Sequence, residues 1–196
     1  MTSPEALWLD TLQRICGRAA HEVKGALNGV SVNLEVVRSR SEKPNASAAA
    51  VNRYAETASE QLGAVITMTD ALLALARPPR EPVELTPLVR RICALIAPAA
   101  RADNRRFDLQ ESEDLGVSSA NGDAIRIAIG GSIVDAIDGS AHVICRTDGA
   151  ADAPTIRLES CDGGVLAIRD EIVAASADAG IRIEAGTAGI SITFPR

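Results

Sequence analysis

Residues 12–37 read LQRICGRAAHEVKGALNGVSVNLEVV. Leu12, Cys16, Ala19, Val23, Leu27, Val30, Leu34 and Val37 recur in this stretch mostly at three- and four-residue steps, the period of a helix with one apolar stripe. Ser41-Glu42-Lys43-Pro44-Asn45 interrupts the period with turn-forming residues. A second stripe follows in Val51, Ala55, Ala58, Leu62, Val65, Thr69, Leu72 and Ala76. Two helices of about 30 residues, each roughly 45 Å long, joined by a short turn make an antiparallel hairpin. A lone hairpin shelters little apolar surface. Two hairpins around a twofold axis form a four-helix bundle that buries both stripes, so the sequence predicts a homodimer.

Arg77-Pro78-Pro79-Arg80-Glu81-Pro82 stops the second helix and begins an extended connector. It separates a region 1–80 with nine Lys/Arg against eight Asp/Glu from a region 81–196 with eleven against eighteen. The second region alternates in kind. Helices are expected over 83–100, 123–137 and 168–179, and strands over 106–110, 142–146, 155–160, 181–185 and 190–194. The fold class is therefore α+β, a helical hairpin (1–80) followed by a sandwich with helices on one face of a mixed sheet (81–196).

Composition narrows the function. The chain has 196 residues, 46% apolar and 23% charged, which suits a folded globular protein. A net charge of −6 and only four aromatic residues argue against a nucleic-acid partner. No apolar run reaches the roughly 18 residues of a membrane span, and Met1–Asp10 lacks the form of a signal peptide, so a cytoplasmic location with no membrane partner is expected. Cys16, Cys93, Cys145 and Cys161 lie far apart without a C-x-x-C pair, which predicts buried reduced thiols and no metal site.

His21 stands out by its position on the wheel. At about 100° per residue it falls opposite the apolar stripe, alongside Arg14, Gly17, Arg18, Lys24, Gly25 and Asn28. Two glycines on one exposed helical face cost about 0.5–1 kcal/mol each relative to alanine. They clear room for an approaching group. Neutral imidazole is nucleophilic near pH 7. Arg14, Arg18 and Lys24 would offset the charge of a transferring phosphoryl group, and Glu22 would orient the ring. On residues alone His21 reads as a phosphoacceptor or as an ordinary solvent-facing histidine. His142, the other histidine, falls in an expected strand.

His21-Glu22-Val23-Lys24-Gly25-Ala26-Leu27-Asn28 resembles the H-box of sensor histidine kinases, His-Glu/Asp-x-Arg/Lys-Thr/Asn-Pro-Leu-Thr/Asn, at His21, Glu22, Lys24, Leu27 and Asn28. The order long helix, turn, long helix and linker resembles the dimerisation and histidine-phosphotransfer domain of those kinases. Val83-Glu84-Leu85-Thr86-Pro87-Leu88 and the segments 179–184 and 189–195 resemble the start and the last hairpin of their ATP-binding domain. The resemblance covers nearly the whole chain, and its departures are as informative as its matches. Gly131 and Asp135 stand where the kinases carry the two asparagines that hold Mg²⁺ and ATP. Asp162-Gly163-Gly164 resembles the adenine-contacting box, with Leu166 at its second glycine, and no glycine lies between Gly164 and Gly180 to build a phosphate loop. Gly25 replaces the Thr or Asn that positions water in kinases with phosphatase activity, and Ala26 replaces the proline.

A histidine-bearing bundle joined to a degenerate ATPase-like domain is similar to the dimeric histidine phosphotransferases of bacterial phosphorelays (the ChpT type). The resemblance implies that His21 relays a phosphoryl group between the aspartates of two receiver domains of response regulators. It implies Lys24 on the phosphoryl oxygens, and Gly17, Gly25 and Asn28 as docking floor. It implies an upstream histidine kinase, hybrid or separate, and Mg²⁺ supplied by the receiver, with no cofactor or nucleotide held by this chain. A divergent kinase and a non-enzymatic scaffold or inhibitor of two-component proteins are the competing readings.

Overall fold

The structure is a computed structural model, which describes residues 3–43, 47–112, 114–149, 153–186 and 189–196. Helix α1 (Pro4–Ser41) starts with Pro at its first position behind Ser3, whose hydroxyl accepts from the Ala6 N–H at 3.3 Å. Helix α2 (Ala48–Ala76) returns antiparallel and ends where Arg77 turns extended ahead of Pro78. Of the expected turn, Pro44 and Asn45 lie outside the described residues. Helix α1 runs unbroken through Ala26.

The second region opens with a two-residue strand, β1 (Val83–Glu84), which sequence periodicity missed, and then helix α3 (Leu85–Ala102). Strands β2 (Arg106–Glu111) and β3 (Val117–Ser118) follow. The expected helix over 123–137 is three continuous pieces: α4 (Gly122–Arg126), a π-helical turn (Ile127–Gly131) and α5 (Ser132–Gly139). Then come β4 (His142–Asp148), β5 (Thr155–Ser160), α6 (Asp170–Asp178), β6 (Arg182–Gly186) and β7 (Gly189–Thr193).

Five strands form one sheet in the order β2-β4-β5-β7-β6, with β2 parallel to β4 and the other neighbours antiparallel. Strand alternation puts Phe107, Val143, Cys145, Ile156, Leu158, Ile190 and Ile192 on the covered face. Ile92, Leu95 and Ile96 of α3, with Ile125, Ile129 and Ile133, join them in one core. The mixed sheet with helices on one face is the sandwich that the alternating pattern predicts.

The hairpin does not stand apart from this lobe. Ile15, Ala19, Met68, Ala71 and Leu75 belong to the same core cluster as the sheet residues. Gly130 eases the close approach of α1, since an added Cβ there would lie a tight 3.3 Å from Ile15 Cδ1 and from Thr11 Cγ2. The buried residues of α1 are therefore Leu7, Thr11, Ile15 and Ala19, a four-residue repeat that drifts around the helix and faces the lobe. The stripe read from the sequence overlaps this one only at Ala19, although Leu12 and Val23 pack against the same core. Cys16 and Val23 are half-buried, and Leu27 and Leu34 are exposed. The four cysteines are free, but only Cys93 and Cys145 are buried; Cys16 is half-buried and Cys161 exposed, because it follows the last residue of β5 at the sheet rim.

Candidate functional site

His21 lies in the middle of α1 and is exposed, as are Gly17, Lys24, Gly25 and Asn28 around it. Side chains on a helix lean toward its N-terminus, so the ring lies over the turn that holds Gly17 and Arg18. An added Cβ at Gly17 or at Gly25 meets nothing within 4 Å. The imidazole thus sits on an open strip of low relief, reachable by a bulky partner. Glu22, next in sequence, is half-buried and points away from the ring's own face by about 100°. It borders the site rather than facing it.

The two arginines behave differently from the sequence expectation of free cations. Arg14 donates Nη1–H to Asp135 Oδ1 at 2.7 Å and Nη2–H to Asp138 Oδ2 at 2.6 Å. Arg18 donates to Asp138 Oδ1. Both carboxylates belong to α5, so these arginines pin α1 to the lobe, and their charge is already matched in the free protein. Nothing within α1 signals this, because the partners lie some 120 residues away in sequence. Among the described residues, Lys24 has no ion pair, which sets it apart from the two arginines on this face.

One further residue belongs to the strip. Val32 is 63% exposed and lies eleven residues after His21, which returns it to the same side of α1. Helical spacing puts this apolar side chain on the His21–Gly25–Asn28 line, beyond the residues that the sequence marks as docking floor.

Gly131, Asp135 and Asp162, singled out by the resemblance, are each engaged by this chain's own residues, while Gly163, Gly164 and Leu166 line an open cavity. An added Cβ at Gly131 would lie 2.6 Å from Ile172 Cδ1 of α6. Asp135 is taken up by Arg14 and also accepts from the Arg169 N–H at 3.1 Å and Arg169 Nε at 3.2 Å. Asp162 accepts from Ser140 Oγ at 2.6 Å, Ser160 Oγ at 2.7 Å, the Ala141 N–H at 2.6 Å and the Gly164 N–H at 3.1 Å. Those donors, Ser140 foremost, hold its carboxyl far below the ordinary aspartate range. Asp162 ties the α5–β4 and post-β5 loops together.

His142 is held by Asp108, with Nε2 at 3.0 Å from Oδ2, and Arg106 Nε is ion-paired with the same oxygen at 2.7 Å. The hydrogen bond from His142 lowers the Asp108 carboxyl below its ordinary value. This ring is a cross-strand partner on the sheet's open face. Among the described residues no cluster of His, Cys, Asp and Glu has the makings of a metal site, and no helix is long and apolar enough to cross a membrane.

No protein-family model matches the sequence, and no curated protein matches it. Among solved structures the chain is similar to the histidine kinase AdeS of Acinetobacter baumannii, at 14% identity over 89% of this chain and 97% of that one, with a TM-score of 0.45. It is similar to the cytoplasmic segment of the histidine kinase QseC, at 18% identity over 69% of this chain and 92% of that one, TM-score 0.42. It is similar also to a bacterial phosphotransferase, at 10% identity over 94% of this chain and 95% of that one, TM-score 0.40.

Proposed function

We propose that this protein is a histidine phosphotransferase of a two-component phosphorelay, in which His21 accepts a phosphoryl group from the aspartate of one receiver domain and passes it to another. The observation that carries the reading is the exposed imidazole on an uninterrupted helix, between two glycines whose side-chain space is open. The H-box resemblance of residues 21–28 gives that exposed ring its chemistry.

In the transfer, the lone pair of one imidazole nitrogen forms a P–N bond as the P–O bond to the receiver carboxylate breaks in line behind it. Lys24 supplies positive charge to the phosphoryl oxygens, which is most of what such a transfer asks of a protein. Mg²⁺ belongs to the receiver, where it offsets charge on the acyl phosphate. Gly17, Gly25, Asn28 and Val32 form the floor on which the receiver rests. Phosphoryl input comes from an upstream histidine kinase through its receiver.

Relay without nucleotide chemistry is supported by Ile172 against Gly131 and by the partners that already hold Asp135 and Asp162. A homodimer is supported by the stripe Leu27 and Leu34 on α1 with Leu62, Ile66 and Leu73 on α2, all exposed. A second hairpin set on this stripe gives a four-helix bundle.

The experiment is phosphoryl transfer from a receiver charged with acetyl phosphate to wild-type protein and to His21→Ala. Transfer that vanishes in the variant, with secondary structure intact, is the expected result. A variant that retains its cellular effect on signalling without transfer shows a scaffold instead.

A further inference from the structure

Asp135 sits at the centre of a closed circuit of charges that begins and ends on α1. Its Oδ1 accepts from Arg14 Nη1, and its Oδ2 from the backbone N–H and Nε of Arg169. Arg169 Nη1 then donates to Asp10 Oδ2 at 2.7 Å. Asp10 and Arg14 are four residues apart on α1, one above the other, so the circuit spans α1, α5, the start of α6 and α1 again. Asp138 adds a parallel link by accepting from both Arg14 and Arg18. The Asp135 side chain is only 7% exposed, so removing one of these partners leaves a buried polar group without its match. Beneath it, Gly130 admits Ile15 of α1 and Gly131 admits Ile172 of α6.

The circuit has a bearing on His21. Arg14 and Arg18 lie within about 60° of His21 around the helix axis. The carboxylates they hold therefore place the α5 end of the lobe along the margin of the His21 strip. The shared core holds the hairpin and lobe together, and the circuit fixes the α5 end of the lobe against α1 beside that strip.

We propose that Asp135 is a positioning residue: through Arg14 and Arg169 it braces the sheet lobe beside His21, so that a docking receiver meets α1 and the lobe as one preorganised surface. The proposal rests on the reading of His21 as a phosphoryl acceptor and adds to it the residue that holds the lobe in register with α1. Preorganisation acts on binding, so its loss is read in the apparent KM for the receiver and not in the chemistry of the ring.

Two donors separate these effects. Phosphoramidate is a small donor that needs no docking surface; its P–N bond breaks as the new P–N bond to His21 forms, and ammonia departs with the proton. A receiver charged with acetyl phosphate requires docking, and its P–O bond breaks with the aspartate carboxylate as leaving group. For Asp135→Asn we expect the apparent KM for the charged receiver to rise on the order of tenfold, with the maximal rate and phosphoramidate labelling within about twofold of wild type. Asp10→Asn cuts the outermost, exposed link and is expected to raise KM by about threefold, which keeps the test open where Asp135→Asn fails to fold. Trp8, stacked 5.4 Å from the Arg126 guanidinium of α4, reports by its fluorescence whether α1 has loosened from the lobe. An unchanged KM in the folded variants overturns the brace, and so does a loss of phosphoramidate labelling that parallels the loss of receiver transfer. Wild-type protein labelled by neither donor overturns the acceptor reading itself.

Discussion

Ile172 occupies the space that a side chain on Gly131 would need, with its Cδ1 2.6 Å from the position of an added Cβ. Glycine thus leaves Ile172 its place here, and α6 packs onto the π-helical turn through it. Gly131→Asn, even combined with Asp135→Asn to recreate a pair of asparagines, is expected to yield no ATP-dependent labelling. The single Gly131→Asn variant should lose about 1–3 kcal/mol of stability through overpacking, measured by urea denaturation.

Val32 offers an apolar contact at the far end of the His21 strip. Val32→Lys leaves the helix exposed and intact, so stability should stay within about 0.5 kcal/mol of wild type. Receiver affinity should fall by about 1–3 kcal/mol if the residue is buried on docking. Paired thermal melts and titration calorimetry with the receiver separate the two quantities.

The exposed stripe of the hairpin predicts self-association. Replacing Leu27 and Ile66 together with lysine should convert a dimer to a monomer, because each buried aliphatic side chain contributes about 1.5–3 kcal/mol. Sedimentation equilibrium reads this directly, and a wild-type protein that sediments as a monomer contradicts the bundle.

The Asp162 carboxyl is held far below its ordinary value by Ser140, Ser160 and two backbone N–H groups. A carboxyl with a depressed folded-state pKa contributes stability that is present above the unfolded value of about 3.9 and is lost as pH falls through the folded value. Asp162→Asn should therefore be less stable than wild type at neutral pH, and the difference should shrink as the pH is lowered below about 4. Denaturation midpoints taken from pH 7 down to pH 3 test the sign.

Much of this arrangement is legible in the chain, for physical reasons that differ by element. The hairpin follows from three- and four-residue apolar steps, and the exposure of His21 follows from its angle to them. The sheet follows from alternation in segments such as 155–160. What the period does not carry is the choice between two apolar faces of α1. Leu7, Thr11, Ile15 and Ala19 form a weak stripe with a threonine in it, and only the lobe gives it meaning. The same holds for Arg14 and Arg18, which look free in sequence and are ion-paired in space. The π-helical turn at 127–131 has no local signature either, beyond a glycine pair whose packing partners come from α1 and α6.

The most direct measurement is the appearance of acid-labile, base-stable phosphate on this chain with two labelled donors, a phosphorylated receiver and ATP, offered separately. The account predicts label on His21 from the receiver, none from ATP, and none from either donor in His21→Ala. Label from ATP alone, or label that survives in His21→Ala, contradicts it.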